Sequence, residues 1–207
     1  MTPPLDLRVT ELLCSRLCHD LISPISAINN GMELIAEMGD EARDDAEGLI
    51  RESAHNANRR LRAFRYAFGL AGQEVGLEEI RNVAHGWFDG GKLQLDWAPI
   101  TVALPASAGK VILNLLMLAP EVARGTGRVI VSASPGEIAV NFSATQITWP
   151  EDLAAALDGA ILPDNLDPRS AMGLFIAAQV ARLGARLVHT QPAPDALTLR
   201  LHFAGAN

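Results

Sequence analysis

Residues 13–35, LCSRLCHDLISPISAINNGMELI, carry the pattern that decides the fold. Their aliphatic residues recur at helical spacing and form one stripe, made of Leu13, Leu17, Leu21, Ile28 and Ile35. A second stripe follows, made of Ala46, Ile50, Ala54, Ala57, Leu61, Phe64 and Phe68. Because the link over residues 39–45 is short and charged, the pattern predicts an antiparallel helical hairpin.

Two amphipathic helices cannot by themselves remove both apolar stripes from water. Pairing two hairpins into a four-helix bundle would bury them, so we expect a homodimer held mainly by residues 5–70. The alternative is a monomer in which the hairpin packs on the C-terminal part of the chain.

The glycine-rich segment 69–76 predicts the end of the second helix and a domain boundary. Beyond it we expect helices over 77–88, 107–123, 150–157 and 171–183, and strands over 92–97, 129–134, 137–142, 186–190 and 198–203. Pro120 should end or kink the apolar helix 107–123. The pattern predicts an α+β protein with a helical hairpin domain at 1–72 and a two-layer α/β sandwich at 77–207.

Composition excludes several classes of protein. Hydrophobic residues make up 49% of the chain, charged residues 20%, and the net charge is -7, which argues against a nucleic-acid binder. The N-terminus lacks a signal-peptide pattern, and the apolar stretch 111–120 is too short to span a bilayer, so we expect a cytoplasmic protein. Cys14 and Cys18 are expected to be small, half-buried side chains, since a metal site with His19 would need more ligands.

One histidine is placed to do chemistry. On a helical projection His19 lies about 170° from the first apolar stripe, beside Asp20. The residues on or near its face are mostly short and polar, which would let a partner protein approach: Ser15, Arg16, Ser23, Ser26 and Asn30. Pro24 lies one turn beyond His19, and a proline inside a helix removes a hydrogen bond, here to the Asp20 carbonyl. The plain alternative is a solvent-exposed histidine without a function.

The ten residues HDLISPISAI, 19–28, resemble the H-box of sensor histidine kinases. The resemblance implies that His19 accepts a phosphoryl group on the first helix of a dimeric four-helix bundle. Asp20 would then orient the imidazole or tune its basicity, because the attacking nitrogen must be neutral.

The second domain resembles the kinase ATP-binding fold but lacks its nucleotide-binding residues. The segment NLLMLA, 114–119, is similar to the N-box, with Leu118 where the kinases have a magnesium-binding asparagine. The segment that should hold the Asp-x-Gly-x-Gly box, residues 141–150, has neither the aspartate nor the glycines. A single glycine, Gly173, remains of the second glycine box and is explained by helix packing. We therefore expect no ATP binding, and no metal or other cofactor in this chain.

The whole pattern resembles the ChpT family of dimeric histidine phosphotransferases. That resemblance implies a carrier in a cell-cycle phosphorelay. Its donor is the receiver domain of a hybrid kinase (CckA-like), its acceptors are response regulators (CtrA-like and CpdR-like), and the receivers supply Mg²⁺. The expected partner contacts are Ser15, Arg16, Ile22, Ser23, Ser26, Asn30 and Arg59. An active ATP-dependent kinase and a dimeric adaptor that carries no phosphate are the alternative functions.

The roles of the arginines stay open at this stage. Arg16 could meet the phosphoryl oxygens or be a solvated side chain. The second helix carries Arg59, Arg60, Arg62 and Arg65, which could form a basic approach path for a receiver or simply its solvent-exposed face. We favour the solvent-exposed face for this row.

Overall fold

The N-terminal part of the chain is a hairpin of two long helices. The structure, a computed structural model, describes residues 7–39, 43–70, 75–105, 107–160 and 166–203. Helix α1 (Leu7–Met38) runs without interruption through the buried Pro24, and helix α2 (Arg43–Ala67) packs against it. At the crossing, a Cβ atom on Gly31 would lie 2.6 Å from Cγ1 of Ile50, so only glycine lets the helices come this close. The predicted hairpin is confirmed; residues 40–42 of its link lie outside the described residues.

A five-stranded sheet with helices makes up the rest of the chain. The elements are α3 (Leu77–Phe88), β1 (Leu93–Trp97), α4 (Ala108–Leu116), α5 (Ala119–Val122), β2 (Ala123–Ser134), β3 (Glu137–Ile147), α6 (Glu151–Leu157), α7 (Pro168–Arg182), β4 (Ala185–Ala193) and β5 (Ala196–Phe203). The strand order is β1-β2-β3-β5-β4, in which β1 pairs in parallel with β2 and the other pairs are antiparallel. Alternate residues of β2 and β5 are buried, as expected for a sheet covered on one face. The predicted α+β class is confirmed.

Several elements differ in their bounds from the sequence prediction. The apolar run 107–123 is two helices, because α4 ends at Leu116 and Pro120 lies in the first turn of α5. Pro120 therefore ends the helix, as predicted. Strands β2 and β3 are longer than predicted, and their pairing shifts register between Arg124 and Gly127, where Gly125 has a φ of 77°. The segment compared with the Asp-x-Gly-x-Gly box is thus strand up to Ile147.

The hairpin and the sheet share one apolar core. Val9 and Leu13 of α1 and Phe64 and Ala67 of α2 belong to the same cluster of buried residues as the inner face of the sheet. The hairpin therefore does pack on the C-terminal part of the same chain, which was the alternative to the homodimer. It does not bury everything, since Ile25 remains 49% exposed.

Helices α6 and α7 pack closely around Gly173. A Cβ atom at this position would lie 2.8 Å from the Cβ of Ala156 and 3.1 Å from Cδ1 of Leu153. Helix packing therefore accounts for the glycine, as expected from the sequence. In the described part of the chain, no helix has the length and apolarity needed to cross a membrane.

Replacing Gly173 by alanine should lower the free energy of unfolding by about 1–3 kcal/mol, because the added methyl group forces α6 and α7 apart. Urea denaturation measures this difference. The matched control is Gly48→Ala in α2, where a Cβ atom would meet nothing within 4 Å and should stabilise the helix by about 0.5–1 kcal/mol. Equal effects of the two substitutions would contradict the packing account.

Candidate functional site

His19 stands out from α1 into solvent. Its side chain is 88% exposed, and its Nδ1 atom lies 3.4 Å from Oδ1 of Asp20. The predicted contact residues around it are also exposed: Ser15, Ile22, Ser23, Ser26 and Asn30. The Ile22 side chain is 61% exposed and adds an apolar element to a polar face. A protein partner can therefore reach the imidazole without moving any part of the helix.

A groove of about 430 Å³ lies beside His19, between the hairpin and the second part of the chain. One wall is α1, with Ser15, Arg16, His19 and Asp20. The other wall is Glu121 of α5 and residues 167–169 at the start of α7. A partner that touches His19 would thus meet side chains from both parts of the chain.

Arg16 is paired within the chain, and the expectation that it could be a solvated side chain was wrong. Its Nη2 atom lies 2.9 Å from Oε1 of Glu121, and only 13% of its side chain is exposed. The other oxygen of Glu121 accepts a hydrogen bond of 3.1 Å from Nε of Arg169. This pairing raises the pKa of Arg169, which stays cationic. The three residues tie α1 to α5 and α7 at the height of His19.

The expectation for the arginine row on α2 also needs correction, because most of these arginines contact α3 or Asp89, the C-cap residue of α3. Arg59 pairs with Asp89, and Arg62 donates a hydrogen bond of 2.9 Å to Glu79. The guanidinium carbon of Arg60 lies 5.5 Å from the centre of the Trp87 ring. Arg59, predicted as a partner contact, is therefore already engaged within the chain. The row holds α2 against α3 and is not simply a solvent-exposed face.

The start of α7 is shaped by an N-terminal cap. Asp167 accepts a hydrogen bond of 2.7 Å from the Ser170 backbone N–H, and the Ser170 hydroxyl donates another of 2.7 Å to the same carboxylate. Burial alone would raise the pKa of Asp167, but these hydrogen bonds and the nearby Arg169 outweigh it and lower that pKa below its usual value. The cap fixes Arg169 at the edge of the groove.

The N-box segment is inside the protein and holds the end of α2. Asn114 is fully buried, and its Nδ2 atom donates hydrogen bonds of 2.9 Å to the carbonyls of Ala67 and Lys110. Lys110 donates a hydrogen bond of 2.7 Å to the Gly69 carbonyl. The pKa of Lys110 is lowered mainly by burial and to a smaller extent by the charge of Arg182. Leu118 is fully buried in the core. Asn114 and Lys110 thus donate their hydrogen bonds to protein backbone at and beside the end of α2.

The cysteines differ from the sequence expectation. Cys14 and Cys18 are exposed, not half-buried, and both thiols are free. Within the described ranges, no group of three or more histidine, cysteine and carboxylate side chains could hold a metal ion.

Comparison with known proteins places the chain in a family. Residues 77–194 match the family described as "Histidine phosphotransferase C-terminal domain". The chain belongs to this family. It is 46% identical over 110 residues to "Protein phosphotransferase ChpT" of Brucella abortus (strain 2308), a match that spans about half of the length of each protein, 52% in both cases. It is also similar over 95% of its length to 96% of a solved bacterial phosphotransferase, with 32% identity and a TM-score of 0.80.

The residues that line the groove from the second part of the chain were not predicted from the sequence. Glu121 lies in the apolar run, and its partner Arg16 is far away in sequence, so no spacing links them. A local signal did exist for α7. Asp167 followed by Pro168 and Ser170 has the pattern of a capped helix start, three residues before the predicted one.

Asp167 should make stability depend on pH. A carboxyl whose pKa is lowered by folding stabilises the protein above its unfolded pKa of about 3.9, and this contribution is lost as the pH falls towards the folded value. We expect Asp167→Asn to be less stable than the wild type at pH 6 and to approach it near pH 3, in urea denaturation. For the exposed control Glu33→Gln, the stability difference from the wild type should change less with pH. A stability difference between Asp167→Asn and the wild type that stays constant from pH 6 to pH 3 would contradict the expected role of Asp167.

Proposed function

We propose that this protein carries a phosphoryl group on His19 between aspartates of receiver domains. The observation that carries the proposal is the exposed imidazole whose Nδ1 atom faces the Asp20 carboxylate, in a member of a histidine phosphotransferase family. A carboxylate next to Nδ1 favours the proton on that nitrogen. Nε2 then keeps its lone pair and points away from Asp20, towards an incoming partner.

The transfer balances without a proton leaving the ring. The Nε2 lone pair attacks the phosphorus of the donor's aspartyl phosphate, and the P–O bond breaks with its electron pair going to the donor carboxylate. The phosphorylated ring is a cation, and the Asp20 carboxylate offsets its charge. The acceptor's aspartate then attacks phosphorus, the N–P bond breaks, and the electron pair returns to Nε2.

The receiver is proposed to dock over His19 and the groove beside it. Ser15, Ile22 and Ser23 would contact it from α1, with Ser26 and Asn30 farther along the same helix. All three arginines Arg16, Arg59 and Arg169 are paired within the chain. Arg169 is the best candidate for an acidic receiver surface because its side chain is the most exposed, at 35% against 13% for Arg16 and 29% for Arg59. The CckA-like donor and the CtrA-like and CpdR-like acceptors implied by the family resemblance are the first receivers to test.

We further propose that the chain works without ATP or a cofactor of its own. Asn114 is engaged with the end of α2, and Leu118 offers no ligand atom for magnesium. The receiver would bring Mg²⁺, which offsets the negative charge that develops on the phosphoryl oxygens. The chain then contributes positioning and the nucleophile alone.

A homodimer is proposed because α1 keeps an uncovered apolar row. Apolar positions follow a seven-residue repeat along the helix, as in coiled coils: Leu7, Cys14, Leu21, Ile28 and Ile35 in one row and Cys18, Ile25 and Met32 in the next. Ile25 and Met32 are 49% and 58% exposed, and Leu61 on α2 is 53% exposed. A second copy of the hairpin would cover these side chains and leave His19 outside.

Phosphoryl transfer tests the carrier directly. A receiver labelled with radioactive phosphate is mixed with the wild type, with His19→Gln and with His55→Gln, a matched exposed histidine on α2. We expect label on the wild type and on His55→Gln but none on His19→Gln, because only His19 accepts the group.

A parallel reaction with ATP alone separates the alternatives. No label is expected from ATP, and label there would establish a kinase instead. A wild type that binds receivers but never acquires label from any of them would make the protein an adaptor.

Light scattering after size-exclusion chromatography tests the dimer. The wild type should have twice the mass of one chain, and Ile25→Glu with Met32→Glu should have the mass of one chain, because four buried charges are not tolerated in a dimer core. Asn30→Glu, on the other side of α1, is the control and should remain dimeric. A monomeric wild type at micromolar concentration would refute the dimer.

A further inference from the structure

Three side chains from three helices meet behind the imidazole. Oδ1 of Asp20 faces Nδ1 of His19 at 3.4 Å, and Oδ2 of the same carboxylate lies 3.9 Å from Nη1 of Arg60. The Arg60 guanidinium stacks near the ring of Trp87, with its carbon 5.5 Å from the ring centre. The Nε atom of Arg60 donates a hydrogen bond of 3.1 Å to Oδ1 of Asn56. Asp20 therefore bridges His19 and Arg60, one oxygen to each.

We propose that Arg60 is a positioning residue for phosphoryl transfer, and that Trp87 makes its action depend on the second part of the chain. The proposal rests on the carrier function of His19. Arg60 holds the Asp20 carboxylate in the orientation in which Oδ1 faces Nδ1, and this keeps the ring proton on Nδ1. Nε2 is thereby ready to form the bond to phosphorus while the P–O bond of the donor breaks.

The surroundings of Asp20 make Arg60 suited to this task. Only 23% of the Asp20 side chain and 33% of the Arg60 side chain are exposed, so solvent screens the pair less than a surface pair. Arg16 is one turn before Asp20 but is paired with Glu121, and Arg169 is paired with the same glutamate. Both are therefore engaged elsewhere, which leaves Arg60 to hold the carboxylate.

Trp87 gives the guanidinium a fixed platform. Its ring centre lies 5.9 Å from that of Phe64, which is buried in the shared core with 6% exposure. A cation that stacks on an aromatic ring is attracted to the ring face and loses freedom to rotate away. Because Trp87 belongs to α3, any shift of α3 relative to the hairpin would release Arg60 and, through it, Asp20.

The tautomer of His19 reports on the proposal without any partner. Nitrogen-15 NMR of the labelled protein, at a pH where the ring is neutral, distinguishes a proton on Nδ1 from one on Nε2, and His19→Gln identifies the signal. We expect mainly the Nδ1–H form in the wild type. Arg60→Gln should shift the population towards the Nε2–H form, which a histidine without a partner prefers. Arg60→Lys should keep part of the Nδ1–H population. The Nδ1–H population in Trp87→Leu should lie between those of the wild type and Arg60→Gln.

Transfer kinetics give the second measurement. In single-turnover reactions with a phosphorylated receiver, Arg60→Gln should reduce the maximal rate constant roughly 10- to 100-fold, since a displaced reacting group costs this much. The receiver concentration for half-maximal rate should change little. The control is Arg62→Gln, which removes an exposed arginine of the same helix that pairs with Glu79. Its His19 tautomer and its transfer rate should match those of the wild type.

Two results would overturn the proposal. An unchanged His19 tautomer in Arg60→Gln would show that Arg60 does not control Asp20. An increased half-saturating concentration with an unchanged maximal rate would make Arg60 a docking residue instead. If the wild type accepts no phosphoryl group at all, the carrier function fails, and the NMR result still decides whether Arg60 orients Asp20. Thermal denaturation of each variant shows that the fold is retained.

Discussion

The packing of α2 against the second part of the chain is the contact on which the rest of the structure depends. Phe64 and Ala67 enter the core of the sheet, and Asn114 and Lys110 bind the carbonyls where α2 ends. A buried asparagine and a buried lysine are costly unless their polar atoms find partners, and here each donates a hydrogen bond to a backbone carbonyl at the end of α2, Asn114 to Ala67 and Lys110 to Gly69. The hairpin therefore has a defined position relative to the sheet, and with it His19 has a defined position relative to the groove.

In the proposed function, that position gives the second part of the chain a role that does not involve a nucleotide. Glu121 and Arg169 form one wall of the groove beside His19, and Trp87 supports the arginine that reaches Asp20. In the proposed function, the chemistry needs one nucleophile and one carboxylate, both on α1. The remaining parts hold those two groups in place and present a surface to the receiver. In this proposal, a fold that resembles an ATP-binding domain in sequence pattern acts as a rigid support.

The sequence predicted local features well and long-range pairings poorly. Helix α3 was predicted to the residue, because its apolar spacing is regular and its boundaries are marked by glycines. The exposure of His19 followed from helical geometry alone. The pairing of Arg16 with Glu121 could not be predicted, since nothing in either local segment identifies the partner. The break before Pro120 was foreseen, but the bulge beside Gly125 was not, because a bulge depends on the register of two strands.

Phosphorus NMR of the protein after incubation with a phosphorylated receiver tests the central claim most directly. We expect one new signal, from phosphorus bonded to Nε2 of a histidine, which disappears when His19 is replaced by glutamine. A signal from phosphorus on Nδ1 would contradict the role given to Asp20. The absence of any phosphohistidine signal, with a receiver that remains phosphorylated, would contradict the carrier function itself.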